Sequence, residues 1–459
     1  MTPPVVEPDL AEDRTIGADP VPARLRRLRT RDVAVLWGNL SIGILVLAAG
    51  ALLTLPADSG GLGLSLGPAV AAVVVGSAAG AFLLAAVAWI GHDPGRPAMA
   101  LLRSVLGRRG SYAASVLNIV QLIGWTAFEL WAMAQFANRI CDTLFGVTSQ
   151  VAWVLAVAAA CAGLALAGPL AVVRVALERV GTWVLLVACA ALTATVALDG
   201  VGHGAGGGGV PFAVAVDLVV AMPVSWLSVV ADYNRFSTDR RANFAGTFAG
   251  SFVGNTWLYL LGMLLVLSGR LTDSSPAGIA TGVIGAGAGT LVGVVMIAGL
   301  LAGELPNAFA DIYSSVVSAQ NLTRRLPYRA AVLAVVAVSA LIASLATVAN
   351  FETFLFLLGS VFIPLFAVVL AHGLVGLARG EQGEHQQQRR WAMGLAWLVG
   401  FALYQWIVPT GPAGWVSWIK DNIPGAGQVT AVGASLPSFA AAFAAGLAAR
   451  LLDRPAPLG

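Results

Sequence analysis

The chain has 459 residues, of which only 11% are charged and 58% apolar, and its mean hydropathy is +0.83. A soluble domain of average composition carries about 25% charge, so a soluble enzyme, a nucleic-acid binder and a disordered chain are excluded, and a polytopic membrane protein remains. The formal net charge of +3 says less than the positions of the arginines. Cys141, Cys161 and Cys189 have no metal-ligand spacing, so neither a zinc site nor a disulfide framework is expected. Residues 1–31 are acidic (Glu7, Asp9, Glu12, Asp13) and then Arg-rich, without an apolar core. They read as a disordered tail and not as a cleavable signal peptide.

A membrane helix needs about 20 mostly apolar residues, and about twelve such runs follow in chain order. The first six are 33–55, 68–90, 112–140, 151–167, 175–198 and 210–231. The last six are 244–267, 284–315, 330–348, 351–377, 391–408 and 430–452. The basic loops fall on one side. Arg24, Arg26, Arg27, Arg29 and Arg31 precede span one, and Arg96, Arg103, Arg108 and Arg109 follow span two. Arg235, Arg240 and Arg241 follow span six, Arg324, Arg325 and Arg329 span eight, Arg379, Arg389 and Arg390 span ten, and Arg450 and Arg454 span twelve. The opposite loops are neutral or Gly-rich, as at residues 204–209, apart from Arg139, Arg270 and Lys420. The positive-inside rule then puts both termini in the cytoplasm of a cell inner membrane. No loop is long enough for a soluble motor domain and no phosphate-cradling GxxxxGK[ST] motif occurs, so no ATPase subunit is implied.

A charge at mid-membrane costs at least ~2.5–3.5 kcal/mol on insertion scales, so those retained mark sites or partners. Span one carries Gly38, Asn39, Ser41 and Gly43. Either the helix unwinds there with Asn39 facing a site, or the glycines mark a close helix contact with Asn39 bonded across it. Span three carries Gln121, Trp125 and Glu129. The last two share one face at i, i+4, a stacking surface beside a carboxylate that suits a flat, hydrogen-bonding ligand. In span six, Pro223 frees a carbonyl mid-span, with Ser225 and Trp226 next to it, so a break is expected. Asp232 reads as an anchor pairing with Arg235. Span eight carries Glu304, Pro306, Asn307 and Asp311, the most polar intramembrane stretch, and Pro306 is a second expected break. Arg174 and Glu178 have ion-pair spacing, and Asp217, near the outer end of span six, is expected to reach water. The histidines, His92, His203, His372 and His385, lie outside these stretches, which argues against a membrane-embedded enzyme.

Spans one and six share a helix-breaking polar centre, and spans three and eight share an acid and aromatics. Both pairs are five spans apart, an odd offset that inverts one half relative to the other. With these residues the chain resembles the nucleobase–cation symporter family, the purine/cytosine permease-like transporters. The matching stretches are 37–43, Ile90-Gly91 through 107–112, 121–125, 222–226 with Ala231-Asp232-Tyr233, 307–321 and 354–365. The resemblance implies an all-α, leucine-transporter-like fold. A first inverted repeat occupies 32–200 and a second 201–378, and two further spans with a short tail occupy 379–459. It implies import of a nucleobase, cytosine or a related pyrimidine, by cation symport. Trp125 then matches a stacking residue, Glu129 a ring-reading residue one turn later, and Asn307 and Asp311 span-eight polar positions. Pro223 to Trp226 match the span-six break, with Trp226 as the second aromatic. Gly38 and Ser41 match span-one cation positions.

One feature departs from sodium-coupled members: the two span-eight hydroxyl positions align to Leu305 and Pro306, which offer a hard cation no side-chain oxygen. Glu129, Glu304 and Asp311 stand nearby instead, and buried acids can exchange protons near neutral pH. The expectation is therefore proton coupling ahead of sodium, with no other cofactor and no metal. A hydroxymethylpyrimidine or other thiamine-precursor permease is the alternative, followed by purine, allantoin and hydantoin carriers.

Overall fold

The computed structural model describes residues 19–167, 181–200, 202, 211–286, 290–323, 325–379, 390–429 and 433–452. The acidic tail residues, the Arg174–Glu178 pair, residues 204–209, Arg324, Arg389, Arg454, His203 and His385 lie outside them. Among the described residues there is no strand, only one isolated parallel bridge between Leu28 and Ser237.

Helices coincide with each expected span. Span one is two helices, α1 (Thr30–Leu40) and α2 (Ile44–Thr54), bent by 60° at a short break. Then come α3 (Leu66–Gly91), α4 (Ala98–Phe145), α5 (Gln150–Ala167) and α6 (Gly181–Asp199). Span six is α7 (Phe212–Ser225), a 3-10 turn over Trp226–Ser228 and the short α8 (Val230–Asn234). Next are α9 (Arg240–Leu267), α10 (Pro276–Ala286), α11 (Thr290–Leu322), α12 (Tyr328–Ala343) and α13 (Val348–Ala378). The chain closes with α14 (Arg390–Ile407), α15 (Ala413–Asn422) and α16 (Ser435–Leu451). Among the described residues, six single helices are long and apolar enough to cross a membrane, and the bent α1–α2 pair adds a seventh. Several of the rest are shorter apolar helices.

Two helices were not expected. α10 stands apart from span eight, whose helix starts at Thr290 rather than 284, and α15 lies between the last two spans. The Gly/Ala run near 285 is apolar, so hydropathy draws no boundary there. Helix α4 extends span three back to Ala98 and kinks at Gly107, whose φ of 74° is a left-handed value that favours glycine.

Small residues let the broken helix sit close to its neighbours. Along α9, Gly246, Gly250, Gly254 and Gly262 lie against the carbonyls of Thr30, Ala34, Gly38 and Leu47, and a Cβ at any of them would collide. This is the small-residue packing that replaces hydrophobic driving force inside lipid. On α3, Gly76 and Gly80 similarly admit Val219 and Pro223 of α7.

Two acids prove to be helix caps. Asp217 is half-buried, and its carboxylate accepts from the backbone N–H of Ala434 and Ser435 at 2.9 and 3.2 Å, at the start of α16. Asp232 accepts from Ala98 N at 2.8 Å, at the start of α4. Both satisfy N–H groups that a helix start leaves open. Arg235 is fully buried and donates to the Asp232 carbonyl, to Asp19 O and to Tyr313 Oη.

The N-terminal strap ties one end of the bundle together. Val21 N donates to Gly95 O, Leu28 N to Phe236 O, and Thr238 N to Leu28 O. Arg26 donates to the carbonyls of Val21 and His92. His92 Nδ1 lies 3.1 Å from both Ser237 Oγ and the Asn243 amide nitrogen, a donor that requires an unprotonated ring nitrogen. Burial, then the Arg26 charge, lowers the His92 pKa, against a smaller opposing effect of Asp93.

A histidine whose folded pKa lies below its unfolded value of about 6.5 adds stability above that pH and loses it as pH falls below. Detergent-solubilised protein should therefore melt at a lower temperature at about pH 5.5 than at about pH 7.5, with a smaller drop in His92→Gln. Equal drops in the two proteins would assign the pH dependence elsewhere.

Candidate functional site

The two broken helices meet α4 and α11 around one buried cavity. It is lined by Leu40, Gly43, Leu45 and Val46 from span one, and by Trp125 and Glu129 from α4. Met222, Ser225 and Trp226 come from span six, and Glu304, Asn307 and Asp311 from α11. Trp125, Glu129, Ser225, Trp226, Asn307 and Asp311, named from sequence as substrate-binding, thus surround one space. Glu304 and Gly43 share it. Leu40, Leu45, Val46 and Met222 complete it, and as apolar residues in apolar helices they carry no signal in the sequence.

Gly38, Asn39 and Ser41 do not line this cavity. Gly38 and Asn39 border a separate apolar cleft of about 370 Å³ between span one, α6 and α9. Ser41 donates to Ser251 Oγ of α9 at 3.3 Å. Of the two readings of this stretch, the helix does unwind, but its Gly38–Asn39 side belongs to the close contact with α9. Pro223 lies two residues before the end of α7 and packs on Gly80, outside the cavity. Pro306 does not break its helix: α11 runs through it from Thr290 to Leu322. Dense packing of α11 on its neighbours holds the helix past one missing N–H, as membrane helices tolerate.

The carboxyl of Glu304 reaches the span-one break. Its Oε2 accepts from Ile44 N, the first residue of α2, at 2.7 Å. Gly43 precedes Ile44 in extended backbone, and a Cβ there would stand 2.9 Å from both Glu304 Oε2 and Asn307 Nδ2. Glu129 Oε2 and Asn307 Oδ1 are buried without a hydrogen-bond partner. Ser225 Oγ donates to Met222 O at 2.7 Å, which leaves its oxygen to accept. The polar lining thus offers mostly acceptors, and among the described residues no basic side chain contributes to it.

Aromatic rings flank the cavity. Trp125 meets Phe354 of α13 edge-on at 5.5 Å. Trp226 meets Trp37 edge-on at 6.0 Å, and Trp37 Nε1 donates to Asn234 Oδ1 at 2.7 Å. Behind them runs a buried polar ladder: Gln121 donates to Ser228 Oγ and to Asn118 Oδ1, and Asn118 to Ser318 Oγ at 2.8 Å. It fixes the rotation of α4 against span six and α11. The cavity holds about 20 Å³, near the space of a single water, so a ring enters only when the tryptophans and Met222 move apart.

A core with two broken helices and a polar cavity at the breaks is the architecture of a polytopic secondary transporter. The chain belongs to the family described as permease for cytosine/purines, uracil, thiamine, allantoin, which it matches over residues 20–398. Its fold is similar to that of Mhp1, a nucleobase-cation-symport-1 family transporter in a closed conformation with bromovinylhydantoin bound. The TM-score is 0.73 over 94% of each chain, at 15% identity. The inward-facing conformation of Mhp1 gives 0.69, at 15% identity over 94% of this chain and 92% of that one. A Na+-coupled sialic acid symporter in a substrate-bound outward-open state gives 0.63, at 10% identity over 97% and 93%. At such identities the likeness carries the fold, which is leucine-transporter-like, as the sequence resemblance implied. No curated protein matches the sequence significantly. The family and these structural neighbours are transporters and not enzymes.

Gly43→Ala should destabilise the protein by ~1–3 kcal/mol, the usual cost of overpacking, because its methyl group displaces Glu304 and Asn307. Gly163→Ala, with nothing within 4 Å of its Cβ position, should be neutral or raise the melting temperature. Melting curves in detergent check both, and an undisturbed Gly43→Ala would mean that this cluster is loosely held.

Proposed function

We propose that the chain imports a nucleobase, cytosine or a related aminopyrimidine, together with a proton. The observation that carries this reading is the cavity itself, with two tryptophans and an excess of hydrogen-bond acceptors gathered between two broken helices. Trp125 stacks on one face of the ring, and Trp226 closes the other. Glu129, Asn307 and Asp311 accept its N–H groups, and Ser225 stands at the span-six break. Cytosine suits such a lining because it carries an exocyclic amino group and a ring N–H. The flat heterocycle bound in Mhp1 fits the same kind of space.

The proton follows from charge. Glu129, Glu304 and Asp311 share one small cavity without a basic side chain, and their ionised forms repel one another. Leu305 and Pro306 offer no side-chain oxygen to a metal cation on α11. Gly38 and Ser41 are taken up by α9, so they are left out of the coupling site. The arginine-rich loops favour the inner membrane with both termini cytoplasmic, and the two inverted repeats divide near residue 200, with substrate held between them.

Tryptophan fluorescence of purified protein should respond to cytosine, with binding that changes with pH and not with sodium. Trp125→Ala should weaken it ~10- to 100-fold, the worth of one stacked base. A response confined to hydroxymethylpyrimidine, a purine or a hydantoin would change the cargo and keep the site. A strict sodium requirement would overturn proton coupling, and no response to any heterocycle would overturn the substrate class.

A further inference from the structure

We infer that Glu304 is the coupling residue, and that it acts by capping α2, the second half of the broken helix, from the neighbouring α11. The inference rests on the proton-driven reading above and names the group that performs it.

A helix start leaves its first N–H groups without partners, and a side chain at the N-cap position usually serves them. Here the N-cap is Gly43, which has no side chain. The partner of Ile44 N is instead Glu304 Oε2, at 2.7 Å and on a different helix. Gly43 leaves room for that carboxyl, since a Cβ would stand 2.9 Å from it. The link therefore joins span one to α11 through one carboxyl oxygen, at the point where span one changes direction by 60°.

The charge state of Glu304 decides the strength of that link. The groups facing it are Asn307 and Asp311 from α11, Glu129 from α4, Cys161 from α5, and the backbone at Gly43 and Ile44 from span one. Every side chain among them is acidic or neutral. The positive end of the α2 dipole, with the Ile44 N–H, favours an ionised Glu304 from span one, and the Asn307 amide favours it from α11. If α2 tilts away, an ionised carboxyl is left buried with only the Asn307 amide beside it, which is costly. A protonated carboxyl carries no such penalty, so α2 moves freely only when Glu304 holds a proton. Glu304 is a positioning residue in this scheme. It binds the proton and sets the position of Gly43, and through its contact with Asn307 it also sets the cavity wall.

The test uses full-length protein in liposomes loaded with cytosine. Glu304→Gln keeps an oxygen able to cap Ile44 and cannot titrate. It should lose accumulation driven by an inward proton gradient, from several-fold in the wild type to the equilibrium level, while cytosine exchange across the membrane persists at a reduced rate. Glu304→Asp keeps the carboxyl but is shorter by one methylene, so it should also lose accumulation. Retained exchange shows that each variant is folded, and a merely structural role would abolish exchange and accumulation together. Accumulation by Glu304→Gln equal to wild type, or joint loss of exchange and accumulation in both variants, overturns the inference alone. A wild type that accumulates cytosine only with sodium, or takes up none, overturns the reading on which it rests.

Discussion

An open helix inside a bilayer must have every exposed backbone group bonded by protein, because lipid offers no substitute. That constraint organises this structure. At the span-one break, Ser41 N returns to Trp37 O and Ile42 N to Asn39 O, and Ile44 N is taken by Glu304. At the span-six break, Val229 N returns to Trp226 O and Asp232 N to Val229 O. The glycine face of α9 exists so that span one, bent at this point, still lies flat on a neighbour. Gly43 exists so that an acid from α11 can reach the break. The cavity between the two breaks is the space these arrangements enclose, and its polar lining includes the groups that satisfy them.

Hydropathy and the intramembrane polar residues made the spans and most of the site legible. Trp125 with Glu129 and Asn307 with Asp311 stand at i, i+4 in long, regular helices, and a regular helix keeps such a pair on one face. Asn39 illustrates where this stops. It lies two residues before an unwound segment, where helical phase is lost, and its direction is settled by the α9 glycines more than 200 positions away. The capping roles of Asp217 and Asp232 were hidden for a related reason. Each caps a helix that is distant in sequence, and a cap is visible from sequence only when it lies next to its helix. Pro306 shows the reverse error, since a proline rule drawn from isolated helices ignores the neighbours that hold a membrane helix together.

Three kinds of work can be told apart among the described acids, and burial alone does not separate them. Asp217 and Asp232 meet backbone N–H groups at helix starts and hold fixed geometry. Asp93 faces Arg240 at the bundle end, and that guanidinium holds its carboxyl below the usual range. Glu129, Glu304 and Asp311 face one another across a cavity. Glu304 belongs to two of these groups, as both a helix cap and a member of the acidic cavity, and this double membership gives it leverage over the broken helix.

The two sides of the cavity are closed by different chemistry. Towards the N-terminal strap, closure is polar: Trp37 to Asn234, Asn234 to Thr247, Tyr233 to Ala310 O, and Arg235 to Tyr313 and Asp19. Opening there strands several buried donors unless water follows at once, and each stranded group costs ~1–3 kcal/mol. Towards the start of α13, Trp125 and Phe128 meet Phe354 through ring contacts, which separate without leaving a donor unpaired. A ring contact can re-form on a flat ligand as readily as on Phe354, so a stacked substrate replaces the closing contact it breaks. The polar side has no such replacement. Movement there requires a change in the charge or bonding of the broken helices themselves, which is where Glu304 stands.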